Sequence, residues 1–122
     1  MFYLITGRAG AGKSTYAYRY AKDLRESGRR VCVLDADQVR RHTGNDKFTV
    51  LGIYTQMADL SNYALLMGMK GFDVIIAAVA PMKVYRDYLR ARFMECRTIY
   101  IPGGHMWPET EYEVPDEKEL WG

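Results

Sequence analysis

The stretch Gly7-Arg8-Ala9-Gly10-Ala11-Gly12-Lys13-Ser14 restricts this 122-residue chain more than any other. It satisfies the pattern G-x-x-x-x-G-K-[ST], and its flanks are the ones the pattern needs. An apolar run, Phe2 to Thr6, precedes it, and helically spaced apolar residues follow it. Glycines without a Cβ let the backbone turn tightly and aim its N–H groups at a phosphate chain, and the following helix adds the positive end of its dipole. In such a P-loop, Lys13 reaches the β- and γ-phosphates, the Ser14 hydroxyl ligates Mg²⁺, and Thr15 falls on the α-phosphate side. The implied ligand is ATP with Mg²⁺, cradled by residues 7 to 15. Arg8, at the second position of the loop, can either project a cation over the phosphates or face solvent.

The remaining periodicity supplies the fold. Phe2 to Thr6, Val31 to Leu34 and Val74 to Val79 are short continuous apolar runs, as expected of strands buried on both faces, and Arg97 to Ile101 is a weaker fourth. Tyr16, Ala17, Tyr20, Ala21 and Leu24 recur at helical spacing up to a stop at Ser27-Gly28. Ile53 to Lys70 reads as a long helix with Met57, Leu60, Ala64, Leu65 and Met69 toward the sheet, and Met82 to Met94 as another. Strands alternating with helices predict an α/β domain: a three-layer P-loop NTPase fold with a parallel sheet of four to five strands flanked by helices. We expect one domain over 1–122, with 103–122 an irregular tail ending in a short element.

Charge and cysteine usage narrow the function classes. With 17 basic against 15 acidic residues, the chain has no footprint for bulk nucleic acid or an anionic membrane, so any anion site is local. No apolar stretch approaches the length of a membrane span, and no signal-peptide pattern opens the chain, which predicts a cytoplasmic protein. Cys32 and Cys96 lack metal or redox spacing and read as ordinary thiols. His42 and His105 have no nucleophile or cysteine beside them in the sequence.

A phosphoryl-transfer site also needs a carboxylate near the metal and a group to handle the acceptor. The third strand ends in Ala77-Ala78-Val79-Ala80 and offers none. The second ends in Asp35-Ala36-Asp37, which places two carboxylates at a strand's carboxyl end, where α/β folds bind ligands. The same pair could instead cap a following helix.

At these residues the chain resembles the adenylylsulfate kinases, which transfer the ATP γ-phosphoryl group to the 3′-hydroxyl of adenylylsulfate. Leu34-Asp35-Ala36-Asp37-Gln38-Val39-Arg40 is similar to the family's L-D-G-D-x-x-R. Phe48-Thr49 stands for its F-S, Gln56 for the Asn of D-R-x-x-N, and Val79-Ala80-Pro81 for its I-S-P, with Arg86 following at the family's spacing. The resemblance implies that Lys13, Asp35 and Asp37 form the catalytic set. Asp35 joins Ser14 in organising Mg²⁺, and Asp37 orients or deprotonates the acceptor hydroxyl. Arg40 holds the acceptor's anionic group, Phe48 stacks on its base, and Gln56 contacts it.

There are departures. Gly52-Ile53 replaces the family's Asp-Arg, Lys83 replaces an arginine, and no basic lid separates the fourth strand from Tyr112-Glu113-Val114-Pro115, which resembles the family's Y-E-x-P. Without that lid, the residues left to stack on a base lie between His105 and Tyr112. The acceptor is expected to be adenylylsulfate or another small nucleotide-like molecule. Alternatives are a nucleoside, nucleotide or nucleic-acid hydroxyl, or a regulatory module that binds nucleotide without transfer. The oligomeric state is left open.

Overall fold

The computed structural model describes residues 1–45, 49–108 and 110–121. In chain order the elements are β1 (Phe2–Thr6), α1 (Lys13–Glu26), β2 (Val31–Asp35), α2 (Ala36–Thr43), α3 (Val50–Met69), β3 (Asp73–Ala78), α4 (Lys83–Ala91), β4 (Cys96–Tyr100) and α5 (Glu117–Trp121). The four strands form one parallel sheet in the order β2-β3-β1-β4. Both central strands are flanked on each edge, which explains why they read as uninterrupted apolar runs.

Side-chain alternation divides the core in two. Leu4, Val74, Ile76 and Ala78 face one way and pack with Val39, Ile53, Met57, Leu60, Tyr85 and Leu89 from α2, α3 and α4. Tyr3, Ile5, Ile75 and Ala77 face the other way and pack with Ala17 and Ala21 of α1. The three layers are therefore α1, the sheet, and the α2–α4 group, as the periodicity predicts.

The structure differs from the sequence reading in three places. The long helix starts at Val50, because the Thr49 hydroxyl accepts a hydrogen bond from the Gly52 N–H at 3.1 Å and caps it there. Met69, the last residue of α3, does not face the sheet; it is 85% exposed. The short helix α2 has no apolar stripe beyond Ala36 and Val39, and the reading assigns no element to it. Cys32 and Cys96 lie on opposite edge strands with two strands between them, which rules out a disulfide. Burial pushes the Cys96 thiol up to about 11, so it is inert at neutral pH. Among the described residues, no helix is long and apolar enough to cross a membrane.

The tail from Pro102 is pinned at several points. Arg86, 0% exposed on α4, donates to Glu119 Oε1 at 2.5 Å, to the Ala80 carbonyl at 2.8 Å and to the Glu113 carbonyl at 2.7 Å. Arg90 donates to the same Glu119 oxygen at 2.9 Å, fixing α5 against α4. Glu113 caps α4 by accepting the Lys83 N–H at 2.7 Å, and its own N–H donates to the Pro81 carbonyl at 2.7 Å. The Arg86 guanidinium, which follows Pro81 at the family's spacing, is spent inside the protein.

Replacing Arg86 with Met should strand the Glu119 carboxylate in the interior. We expect a loss of roughly 3–5 kcal/mol in urea unfolding, because removing one partner of a buried ion pair costs far more than the pair contributes. Arg86→Lys should recover only part of this, since an ammonium cannot reproduce the planar fork. At the other end of the sheet, Asp73 accepts from the Arg29 guanidinium and pairs with the N-terminal ammonium at 3.3 Å. The hydrogen bond from Arg29 holds the carboxyl below the usual carboxylate range, against the opposing effect of burial. A depressed carboxylate contributes stability above its unfolded pKa and loses it as pH falls through the folded value. Asp73→Asn should therefore flatten the acid limb of a stability–pH profile below about pH 4.

Candidate active site

The turn between β1 and α1 is wrapped as the glycine spacing predicts. Gly12 sits in the left-handed region at φ 98, a conformation a side chain would strain, and delivers the chain into α1. Beside this loop lies a cleft of about 340 Å³ whose walls include Gly12, Lys13, Ser14, Asp35, Asp37 and Val79. The sheet register explains how a residue from β2 reaches the loop. Thr6 is level with Ala78, and Ala77 with Asp35. Small side chains at the end of β3 leave room for the Ser14 hydroxyl to donate to Asp35 Oδ2 at 2.6 Å. The missing carboxylate of β3 is thus supplied one strand further out.

Asp35 caps α2, as one reading of the sequence has it, and the same carboxylate also meets the P-loop serine. While Oδ2 accepts from Ser14, Oδ1 accepts the Asp37 N–H at 2.9 Å and caps α2. The residue is 8% exposed, so the first turn of α2 and the start of α1 are tied together through one buried carboxylate. Asp37 is exposed on the cleft wall, close enough to act electrostatically on both Lys13 and Arg40. Desolvation lowers the pKa of each of these cations, opposed by Asp37 in both cases and additionally by Asp35 at Lys13. Here Lys13 Nζ donates to the Arg8 carbonyl at 2.8 Å, holding the ammonium over the loop.

Arg40 and Gln56 are brought together. Arg40 Nη2 donates to Gln56 Oε1 at 2.6 Å, and Gln56 Nε2 donates to the Ala36 carbonyl at 3.1 Å. Gln56 is 4% exposed, with one amide atom committed on each side, so it braces Arg40 against the Asp-Ala-Asp turn. Phe48, the expected base-stacking residue, lies outside the described residues.

The tail closes over the back of the loop in a way the sequence did not reveal. His105 N–H donates to the Ala9 carbonyl at 2.9 Å, and its ring lies 3.4 Å from where a Cβ on Gly10 would stand. Gly104 permits this approach, since a Cβ there would stand 2.4 Å from the Ala9 oxygen. Arg8 reaches toward β4 and the tail. Its guanidinium donates to the Tyr100 hydroxyl at 3.1 Å and sits 5.1 Å from the centre of the Tyr112 ring.

Tyr112 is buried between Arg8 and Arg86 and hydrogen-bonds Thr6 at 2.8 Å, so it cannot stack on a base. The Thr6 hydroxyl proton is committed to the Val79 carbonyl at 2.6 Å, which makes Tyr112 the donor. The only sequence signal for this cluster was the Tyr112-Glu113-Val114-Pro115 match.

A parallel sheet in this order, a P-loop after its central strand and a carboxylate held to the P-loop serine define a P-loop kinase fold and site. The family model described as adenylylsulphate kinase matches residues 1–121, and the chain belongs to that family. A probable adenylyl-sulfate kinase from Pyrococcus abyssi is 35% identical over 80% of this chain and 58% of its own length. The adenylyl-sulfate kinase from Shewanella oneidensis is 36% identical over 96% of this chain and 57% of its own. The chain therefore spans little more than half the length of these curated relatives. Among solved structures, the Mycobacterium tuberculosis APS kinase CysC in complex with AMPPNP and APS superposes with a TM-score of 0.77. It is 26% identical and covers 82% of this chain and 61% of that one. A gluconokinase from Sinorhizobium meliloti, 17% identical with a TM-score of 0.60, shares the fold.

The double role of Asp35 separates two substitutions. Asparagine is as good a helix cap as aspartate, so Asp35→Asn should unfold within about 0.5 kcal/mol of the wild type, whereas Asp35→Ala should lose about 1 kcal/mol. Denaturation curves of the two variants check this.

Proposed function

We propose that this protein transfers the γ-phosphoryl group of ATP to a hydroxyl of adenylylsulfate. The observation that carries the reading is the convergence of Lys13, Ser14, Asp35 and Asp37 on one cleft, with Arg40 held beside Asp37 by Gln56. Family membership supports it, as does the structural likeness to an enzyme solved with an ATP analogue and APS. The residues present suit Mg²⁺, since the Ser14 hydroxyl and Asp35 carboxylate are the hard oxygen donors that ion takes alongside phosphate oxygens. When bound, it would supply positive charge that neutralises the transferring phosphates.

The protein's own contribution is positioning and electrostatics. The backbone of the P-loop grips the phosphates, and Lys13 leaves the Arg8 carbonyl to meet the β- and γ-oxygens. Asp37 accepts the proton of the acceptor hydroxyl as its oxygen bonds to the γ-phosphorus, and the bond to the β,γ-bridging oxygen breaks to release ADP. Arg40 offers its guanidinium to the acceptor's anionic group, and Gln56 presents it. The desolvation that lowers the pKa of both cations also means they lose little further hydration on meeting an anion.

Incubating the chain with ATP, Mg²⁺ and adenylylsulfate, nucleosides, nucleotides or oligonucleotides in turn, and following ADP and the phosphorylated product, tests the reading. Turnover should require adenylylsulfate; ADP formation with none of the acceptors would remove the assignment of transfer. Lys13→Ala should lower kcat by about 10²–10³, as expected for loss of a transition-state cation. Asp37→Asn should keep ATP binding but lower kcat by roughly 10²–10⁴. Asp35→Asn, though stable, should shift the Mg²⁺ dependence of turnover to higher concentration.

A further inference from the structure

Tyr112 meets the P-loop from both sides of its first glycine. Its hydroxyl hydrogen-bonds Thr6 Oγ1 at 2.8 Å, and its ring centre lies 5.1 Å from the Arg8 guanidinium carbon. Gly7, between those two residues, is itself pressed close to β4, since a Cβ there would come 2.5 Å from the Ile101 carbonyl oxygen. The phenol is fixed in turn by the Arg86 guanidinium, 5.5 Å from its ring centre, and by the Tyr100 ring stacked at 5.9 Å. Burial is the main cause that raises the pKa of the Tyr112 hydroxyl, so it keeps its proton and remains a donor to Thr6 at neutral pH.

The two residues that Tyr112 holds lead toward the candidate transfer site by separate routes. Thr6 ends β1, level with Ala78 of β3, and donates its own proton to the carbonyl of the next residue, Val79, at 2.6 Å. Val79 is part of the cleft wall that also carries Asp35 and Asp37. Arg8, on the other side of Gly7, accepts the Lys13 ammonium on its carbonyl at 2.8 Å. A loop held on one side of Gly7 alone could pivot there; held on both, its exit from the sheet is set relative to the wall at Val79. The strap residue therefore acts on the spacing between the phosphate grip and the carboxylates, from behind the loop.

We propose that Tyr112 is a positioning residue for phosphoryl transfer. By bonding Thr6 and packing on Arg8, it aligns a γ-phosphate gripped by the P-loop with an acceptor hydroxyl beside Asp37. Misalignment costs rate more than affinity. Backbone N–H groups still grip phosphate after a small shift, whereas an in-line transfer displaced by 1 Å loses on the order of 10²-fold. The inference rests on the transfer reading above, but it assigns control of the rate to a residue outside the cleft.

Steady-state kinetics with ATP, Mg²⁺ and adenylylsulfate test the role, and binding of inorganic tripolyphosphate with Mg²⁺ counts intact loops in each variant. Tyr112→Phe removes the hydroxyl and keeps the ring between its cations. It should lower kcat by about tenfold, with the ATP KM and the bound tripolyphosphate within about twofold of the wild type. Thr6→Val should also lower kcat, and Thr6→Ser, which keeps the hydroxyl, should retain most of it. The double variant Tyr112→Phe with Thr6→Val should turn over no more slowly than Thr6→Val alone, since both substitutions break the same hydrogen bond. Wild-type kcat in Tyr112→Phe, multiplied losses in the double variant, or a fall in bound tripolyphosphate that accounts for the lost rate would overturn the positioning role and leave the transfer reading standing. Absence of turnover in the wild type, with tripolyphosphate still bound, would remove both.

Discussion

The buried pairing of Arg86 with Glu119 ties together α5, the corner after β3 and the tail. One guanidinium, fully enclosed, satisfies the carboxylate of α5 and the main chain of two loops, the corner after β3 and the tail at Glu113. Ala80, at that corner, holds a φ of 42, a conformation that costs a non-glycine residue free energy and persists only where its surroundings over-determine it. Here its carbonyl is bound by Arg86 and its neighbours Val79 and Pro81 are bonded to Thr6 and Glu113. Because Val79 also forms part of the cleft wall, this network reaches the candidate active site without any of its charges entering it.

The phosphate site follows a similar logic of shared groups. Asp35 caps a helix with one oxygen and receives Ser14 with the other, and Gln56 spans Arg40 and the Ala36 carbonyl. Each contact that shapes the site also fixes an element end, so the geometry is set by folding rather than by ligand. Such preorganisation is what a phosphoryl-transfer site needs, since the protein contributes position and charge more than covalent chemistry.

The strap from Gly103 to Glu113 gives this chain a different means of bracing its P-loop. In place of a basic flap there is a main-chain contact at Ala9, a glycine pressed against the loop and a tyrosine held between two arginines. Arg8 is drawn back to that tyrosine, so a cation that the sequence sets either over the phosphates or in solvent supports the loop from behind.

Much of the fold was legible in the residues themselves. Continuous apolar runs mark β1, β2 and β3 because strands buried on both faces need no polar positions, and the P-loop pattern locates the β1–α1 turn because only glycine suits its backbone. The Asp35 and Asp37 pair could be picked out by elimination, since β3 ends in alanines. Three things were decided only by tertiary structure. Arg86 and Gln56 became internal braces because burial, which sequence does not state, removed them from solvent. Arg8 turned toward the tail because a tyrosine 104 positions later packs beneath it. The hydroxyl of Tyr112 bonds Thr6 because the tail and the end of β1, far apart in the chain, meet there, and periodicity records which residues face inward but not what they face.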